Sequence, residues 1–183
     1  MRHVGYGHMI KTAIFDFDGT LADTIPLCLE AFRRAVNDLD GRVLTDREIE
    51  RNFGPDDLGV IRKLFPGKPE WHEHGRELFI HYYQELHAEM APAPFPGTVE
   101  LLHSLRNSGI RLAMVTGKRR ESADISLKFF HLDGFFPVLE TGSPEGGVKT
   151  DRINRALKRL GASAREAVYI GDSPSHVDAC RAV

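Results

Sequence analysis

Apolar positions along this chain follow two rhythms. Residues 10–15 (Ile-Lys-Thr-Ala-Ile-Phe) form a short run that reads as a buried strand, cut off abruptly by Asp16-Phe17-Asp18-Gly19-Thr20. The pattern then becomes helical. Cys28, Phe32, Ala35, Val36 and Leu39 recur at helical spacing behind Pro26, and Asp40-Gly41 closes that helix. Thr45-Asp46-Arg47-Glu48 has the form of a capping box that opens a second helix, and Gly54-Pro55 interrupts it. A short helix to Phe65 and a turn at Pro66-Gly67-Lys68-Pro69 follow. Over 70–90 the spacing places Leu78, Phe79, Tyr82, Leu86 and Met90 on one face.

Pro92, Pro94 and Pro96 make a stiff connector. Beyond it, helix and strand patterns alternate. Helices are predicted at 97–108, 120–130 and 151–160, and strands at 110–115, 135–139 and 167–170. Short apolar strands alternating with helices imply an α/β fold, a Rossmann-like parallel sheet covered on both faces. The all-helical stretch falls between the first strand and the rest. It therefore reads as an inserted cap at 24–91, with the core at 9–23 and 92–183. Residues 1–8 are polar and read as a tag or upstream extension.

In such a sheet, ligands bind beyond the carboxyl ends of the strands. Asp16 and Asp18 follow the first predicted strand, Thr116 and Gly117 the second, and Asp172 the last, while Lys149 precedes the helix at 151. Three carboxylates, a hydroxyl and an ammonium gathered at one sheet end suit phosphoryl transfer. One carboxylate can attack phosphorus, and a second acid can serve the leaving group. Carboxylate oxygens suit Mg²⁺, and Lys149, Thr116 and main-chain N–H groups near Gly19 and Gly117 suit phosphate oxygens.

Asp16-Phe17-Asp18-Gly19-Thr20-Leu21-Ala22-Asp23 resembles the first signature of the haloacid dehalogenase-like hydrolases. Thr116 resembles their second motif, Lys149 their third and Gly171-Asp172-Ser173-Pro174 their fourth, in the expected order. The helical insert is similar to the C1-type cap of the phosphoglycolate phosphatase-like branch, as is Phe95-Pro96-Gly97 before a helix. The resemblance implies Asp16 as nucleophile and metal ligand, Asp18 as general acid/base with its carbonyl on the metal, and Asp172 as a further Mg²⁺ ligand. It implies phosphate binding by Thr116, Gly117 and Lys149. An acid at 18 favours phosphate-ester hydrolysis or phosphomutase chemistry over dehalogenation. A non-catalytic binding protein, a pyrophosphatase and a phosphonate-cleaving enzyme share this core as alternatives.

Two positions depart from the pattern. The second acid of the fourth motif would fall at 176, which is His176, and Thr150 stands where many relatives have proline. Thr150 is expected to cap the helix. Relatives continue past the helix after the fourth motif into another strand. The chain given stops at Val183, so an exposed sheet edge and self-association are expected.

Composition narrows the partners. Lys plus Arg total 24 against 26 Asp plus Glu, a net charge of −2, which gives nucleic-acid binding no support. No run of 18 apolar residues predicts a membrane span. Cys28 and Cys180 alone make no disulfide framework, and a reducing, cytoplasmic setting fits. The expected partner is a small phosphorylated metabolite. Lys118, Arg119 and Arg120 read as a solvated helix start, Cys28 as an inert apolar-face residue, and His72, His74, His81 and His87 as surface or packing residues.

Overall fold

The computed structural model describes residues 9–183; residues 1–8, expected to be a tag or upstream extension, lie outside them. Strand β1 (Thr12–Phe15) is followed by four helices, α1 (Ile25–Asp40), α2 (Asp46–Glu50), α3 (Asp57–Leu64) and α4 (His72–Met90). Then come α5 (Thr98–Asn107), β2 (Arg111–Val115), α6 (Arg120–Phe129), β3 (Val138–Glu140), α7 (Lys149–Leu160), β4 (Ala167–Ile170) and α8 (Pro174–Arg181). The four strands form one parallel sheet in the order β3-β2-β1-β4, with Ile14 opposite both Ala113 and Tyr169. This is the α/β core with a helical cap expected from the pattern.

Period-two alternation divides the strands between two cores. Ala13, Phe15, Leu112 and Met114 point to one side and join the buried faces of α1, α4, α5 and α6. Ile14, Ala113, Val115 and Val138 point to the other, where α7 supplies Ile153, Ala156 and Leu157. The first core runs without interruption into the cap. Phe32 of α1 stacks on Phe79 of α4 with centroids 4.1 Å apart. Gly75 lets α4 approach, because a Cβ there would lie 2.9 Å from Leu39 Cδ1 and 3.0 Å from Ile61 Cγ2.

Local signals set the helix ends. Gly41 takes φ 78° and returns its N–H to Asn37 O, closing α1. Thr45 and Glu48 form the capping box: Thr45 N–H donates to Glu48 Oε2 at 2.8 Å and Glu48 N–H to Thr45 Oγ1 at 3.4 Å. After the Gly54-Pro55 break, Asp56 caps α3 by accepting the Gly59 N–H at 3.0 Å.

Three expectations need correction. The strand expected at 135–139 is Val138–Glu140. Pro137 has no N–H for the ladder, so Phe135 and Phe136 pack as core instead, Phe136 edge-on to Phe15. The inner face of α4 is turned from the predicted one: Tyr83 and His87 are buried, whereas Tyr82 is only half-buried. Ser126 of α6 meets both buried side chains, contacting Tyr83 Oη at 2.7 Å and His87 Nε2 at 2.9 Å and so satisfying two polar tips inside the core. Finally, α7 begins at Lys149 and not at 151, and Thr150 does not cap it. The Thr150 hydroxyl lies within the first turn and donates to Ala179 O of α8 at 3.2 Å.

At one sheet edge β4 is only partly covered, with Val168 40% exposed. Cys28 and Cys180 are free thiols. Among the described residues no helix is long and apolar enough to cross a membrane.

Candidate active site

The carboxyl ends of β1, β2 and β4 open into a cavity of about 450 Å³ that lies between the sheet and the cap. Asp16 leaves β1 with its N–H held by Ile170 O of β4 at 2.9 Å. Its side chain is 9% exposed. Oδ1 accepts the Phe17 N–H at 2.8 Å, and Oδ2 accepts from the Lys149 ammonium. Burial raises the Asp16 pKa, and Lys149 works against that rise.

Asp18 sits two residues on and faces the same cavity. Its Oδ1 accepts from the Thr24 hydroxyl at the start of α1 and lies 3.1 Å from Lys118 Nζ. Between the two acids the chain turns at Gly19, whose φ is 70°. A Cβ on Gly19 would stand 2.3 Å from Asp172 Oδ2. Glycine is therefore what allows the acid beyond β4 to reach the β1 loop.

Asp16, Asp18, Gly117, Lys149 and Asp172 all line the cavity. Thr116 does not. It is fully buried, and its hydroxyl accepts the Lys118 N–H at 3.2 Å, shaping the loop after β2.

Sequence reasoning undervalued four residues. Lys118 is no solvated helix start: it is 4% exposed, its ammonium lies between Asp18 and Cys28 Sγ (3.2 Å), and it stands 4.5 Å from the Tyr83 ring centroid. Burial disfavours that ammonium, but the adjacent Asp18 carboxylate outweighs it and holds the Lys118 pKa well above the ordinary value. The Cys28 thiol is pushed up to about 12 by burial, which keeps it protonated. His176 places Nε2 3.1 Å from Asp16 Oδ2 and 2.7 Å from Lys149 Nζ. Its Nδ1 accepts the Ser173 N–H at 3.4 Å, and burial and the Lys149 charge lower its pKa. Asp57, in the stretch Gly54-Pro55-Asp56-Asp57, is buried at the cap–core junction. It accepts from Ser122 Oγ, and burial raises its pKa to about 6. Arg152 lines the cavity at 6% exposure. Only the position of His176 carried a signal in the sequence, as the missing acid.

A family model for haloacid dehalogenase-like hydrolases matches residues 13–183, nearly the whole chain. The chain belongs to this family. Among its relatives, pyrophosphatase PpaX of Halalkalibacterium halodurans is 30% identical over 90% of this chain and 75% of its own length. The crystal structure of CbbY from Rhodobacter sphaeroides in complex with phosphate shares the fold with a TM-score of 0.81 and 24% identity, over 94% of this chain and 82% of that one. A predicted phosphoglycolate phosphatase from Haemophilus somnus shares it with a TM-score of 0.78 and 20% identity, over 94% and 81%. Within the haloacid dehalogenase-like hydrolases, the core-and-cap arrangement seen here is thus also that of solved structures with such names.

Proposed function

We propose that this hydrolase removes phosphate from a small phosphorylated metabolite through an aspartyl-phosphate on Asp16. The observation that carries the reading is the pair of acids leaving β1: Asp16, buried and held by Lys149, and Asp18, separately held by Thr24 and Lys118. Asp16 attacks phosphorus as the ester oxygen departs with a proton from Asp18. Asp18 then takes a proton from the water that cleaves the Asp16–phosphoryl bond. Lys149 shifts from Asp16 to the phosphoryl oxygens, joined by the Gly117 N–H. The buried Thr116 hydroxyl serves by holding the β2 loop. The core is residues 9–23 and 92–183, and the cap is residues 24–91, closing over the reacting groups to exclude water. A cytoplasmic setting suits the two free thiols.

The donor set fits Mg²⁺. Ligand atoms of Asp16, Asp172 and His176 lie within 4.8 Å of one another, and two of the three are carboxylate oxygens, the donors Mg²⁺ prefers. His176 offers a nitrogen, which Mg²⁺ does not favour, so Asp16, Asp172 and the Asp18 carbonyl would hold the ion. When bound, it supplies the positive charge that lets an anionic carboxylate meet an anionic phosphoryl group.

The test is phosphate release from p-nitrophenyl phosphate with Mg²⁺, with EDTA, and by Asp16→Asn. Release that needs both the metal and Asp16 is expected. Undiminished turnover by Asp16→Asn would remove Asp16 from the nucleophile role. Appearance of the phosphoryl group on an added sugar phosphate, with none released, would make the enzyme a mutase.

A further inference from the structure

The two sides of the catalytic cavity differ in chemistry. Basic side chains enter it only from the core: Lys118, Lys149, Arg152 and His176. Among the described residues no lysine, arginine or histidine of the cap lines it. The cap instead contributes Ile25, Cys28 and Phe32 from one face of α1, Phe53 from the loop after α2, and Val60 from α3. Its one charged contribution is Asp57, an acid that already accepts from Ser122. Two rings make a corner in this apolar wall. Phe32 and Phe53 have centroids 6.4 Å apart and an interplanar angle of 51°. Phe32 is fixed from behind by its stack on Phe79. Phe53 is 37% exposed and, among the described residues, meets no ring but Phe32. A single exposed phenylalanine needs no explanation, but one that lines a cavity beside other apolar side chains is a contact surface.

Displacement at phosphorus runs in line, so the leaving oxygen departs away from Asp16, toward the cap. A carboxylate or second phosphate carried there would lose its water against apolar side chains, with no cap cation to pair with and Asp57 to repel it. The cations of the core do not change this. Lys149 pairs with Asp16, Lys118 pairs with Asp18, and Arg152 is set in the core wall beside Gly147. An uncharged group that buries a ring meets no such cost, and aromatic pairs gain beyond the area they bury.

We propose that the cap wall binds an uncharged, ring-bearing leaving group, with Phe53 as the residue that selects it. This rests on the phosphatase reading and narrows its substrate to phosphate monoesters of aromatic alcohols. Attack by Asp16 breaks the P–O bond to the alcohol, whose oxygen takes the Asp18 proton and departs neutral against Phe32 and Phe53. Water then cleaves the Asp16–phosphoryl bond and returns a proton to Asp18, so one monoester and one water give one alcohol and one phosphate.

Binding tests the proposal without turnover. Calorimetric titration of the Asp16→Asn protein with Mg²⁺ compares benzyl phosphate, glycerol phosphate and phosphoglycolate, which carry a ring, hydroxyls and a carboxylate beyond the ester oxygen. The expected Kd for benzyl phosphate is lower than either of the others by about fivefold or more. Adding Phe53→Ala is expected to cut that advantage by about threefold or more, while Phe53→Tyr keeps most of it. Thermal melts establish that each variant is folded; if Phe53→Ala is not, Phe53→Leu, which keeps apolar bulk without the ring, takes its place. A smaller advantage in the parent, tighter binding of phosphoglycolate or glycerol phosphate, no binding of benzyl phosphate, or an advantage that survives in a folded Phe53 variant would overturn the proposal. Failure of the phosphatase reading looks different: the protein with Asp16 intact would release no phosphate from benzyl phosphate, while Phe53-dependent binding of it remained.

Discussion

Two lysine–aspartate pairs leave the end of β1 within three residues of each other, and they are built for different ends. Lys149 reaches Asp16 from the first turn of α7. Its ammonium touches the cavity and shares Asp16 Oδ2 with His176, so both groups have an exchangeable partner. Lys118 reaches Asp18 from the loop after β2, with only 3% of its side chain exposed. It is sealed by Cys28 of α1 and Tyr83 of α4, both cap residues. The first pair is open to a substrate. The second joins core to cap and fixes where Asp18 points. The two lysines thus serve reaction and architecture, and burial separates them: 15% of the Lys149 side chain is exposed against 3% for Lys118.

Breaking each pair separates them experimentally. Lys149→Met is expected to lower kcat/KM by about 10²–10³-fold while shifting the melting temperature less than loss of the other lysine. Steady-state kinetics beside a thermal melt checks both halves, and a variant that keeps full activity contradicts the assignment. Lys118→Met leaves Asp18 without its cation in a largely closed site. It should cost about 3–4 kcal/mol, or roughly 6–15 °C in Tm. A melt matching that of the parent protein would show that Asp18 relaxes into solvent, and that the second pair is as replaceable as the first.

Asp57 sharpens the comparison, because it lies near Lys118 at the cap–core junction. Burial raises its pKa from 3.8 to about 6. The folded protein therefore holds this proton more tightly than the unfolded chain. The resulting stabilisation is complete below about pH 4 and is lost as pH rises through about 6, a change of roughly 2–3 kcal/mol. Asp57→Asn does not titrate. Relative to the parent, it should look least stable at pH 4 and gain by pH 7. Parallel pH profiles for the two proteins would place Asp57 outside this balance.

What could be read from the sequence follows the same division. Strand β1 and the acids after it were legible because an apolar run stops abruptly at Asp-Phe-Asp-Gly, a purely local event. The same holds for Gly171-Asp172 after β4. Lys118 was not legible. Three basic residues in a row look like a solvated helix start, and only the tertiary arrangement shows that α1 and α4 bury the first of them. For Tyr83 and His87 the sequence allowed a packing role, but not the Ser126 hydroxyl on a distant helix that meets both polar tips. Arg152 is an arginine in a helix rich in basic residues, and its burial beside the Gly147 loop in the cavity wall is a tertiary event. Chemistry placed at strand ends was visible in advance; chemistry placed by contact between cap and core was not.

The central claim is the covalent role of Asp16. Rapid acid quench during turnover, followed by proteolysis and mass spectrometry, tests it most directly. The account predicts a phosphoryl group on the peptide carrying Asp16, at that carboxylate, and none after Asp16→Asn. Steady turnover with no label on Asp16, or with the label on another side chain, would contradict it.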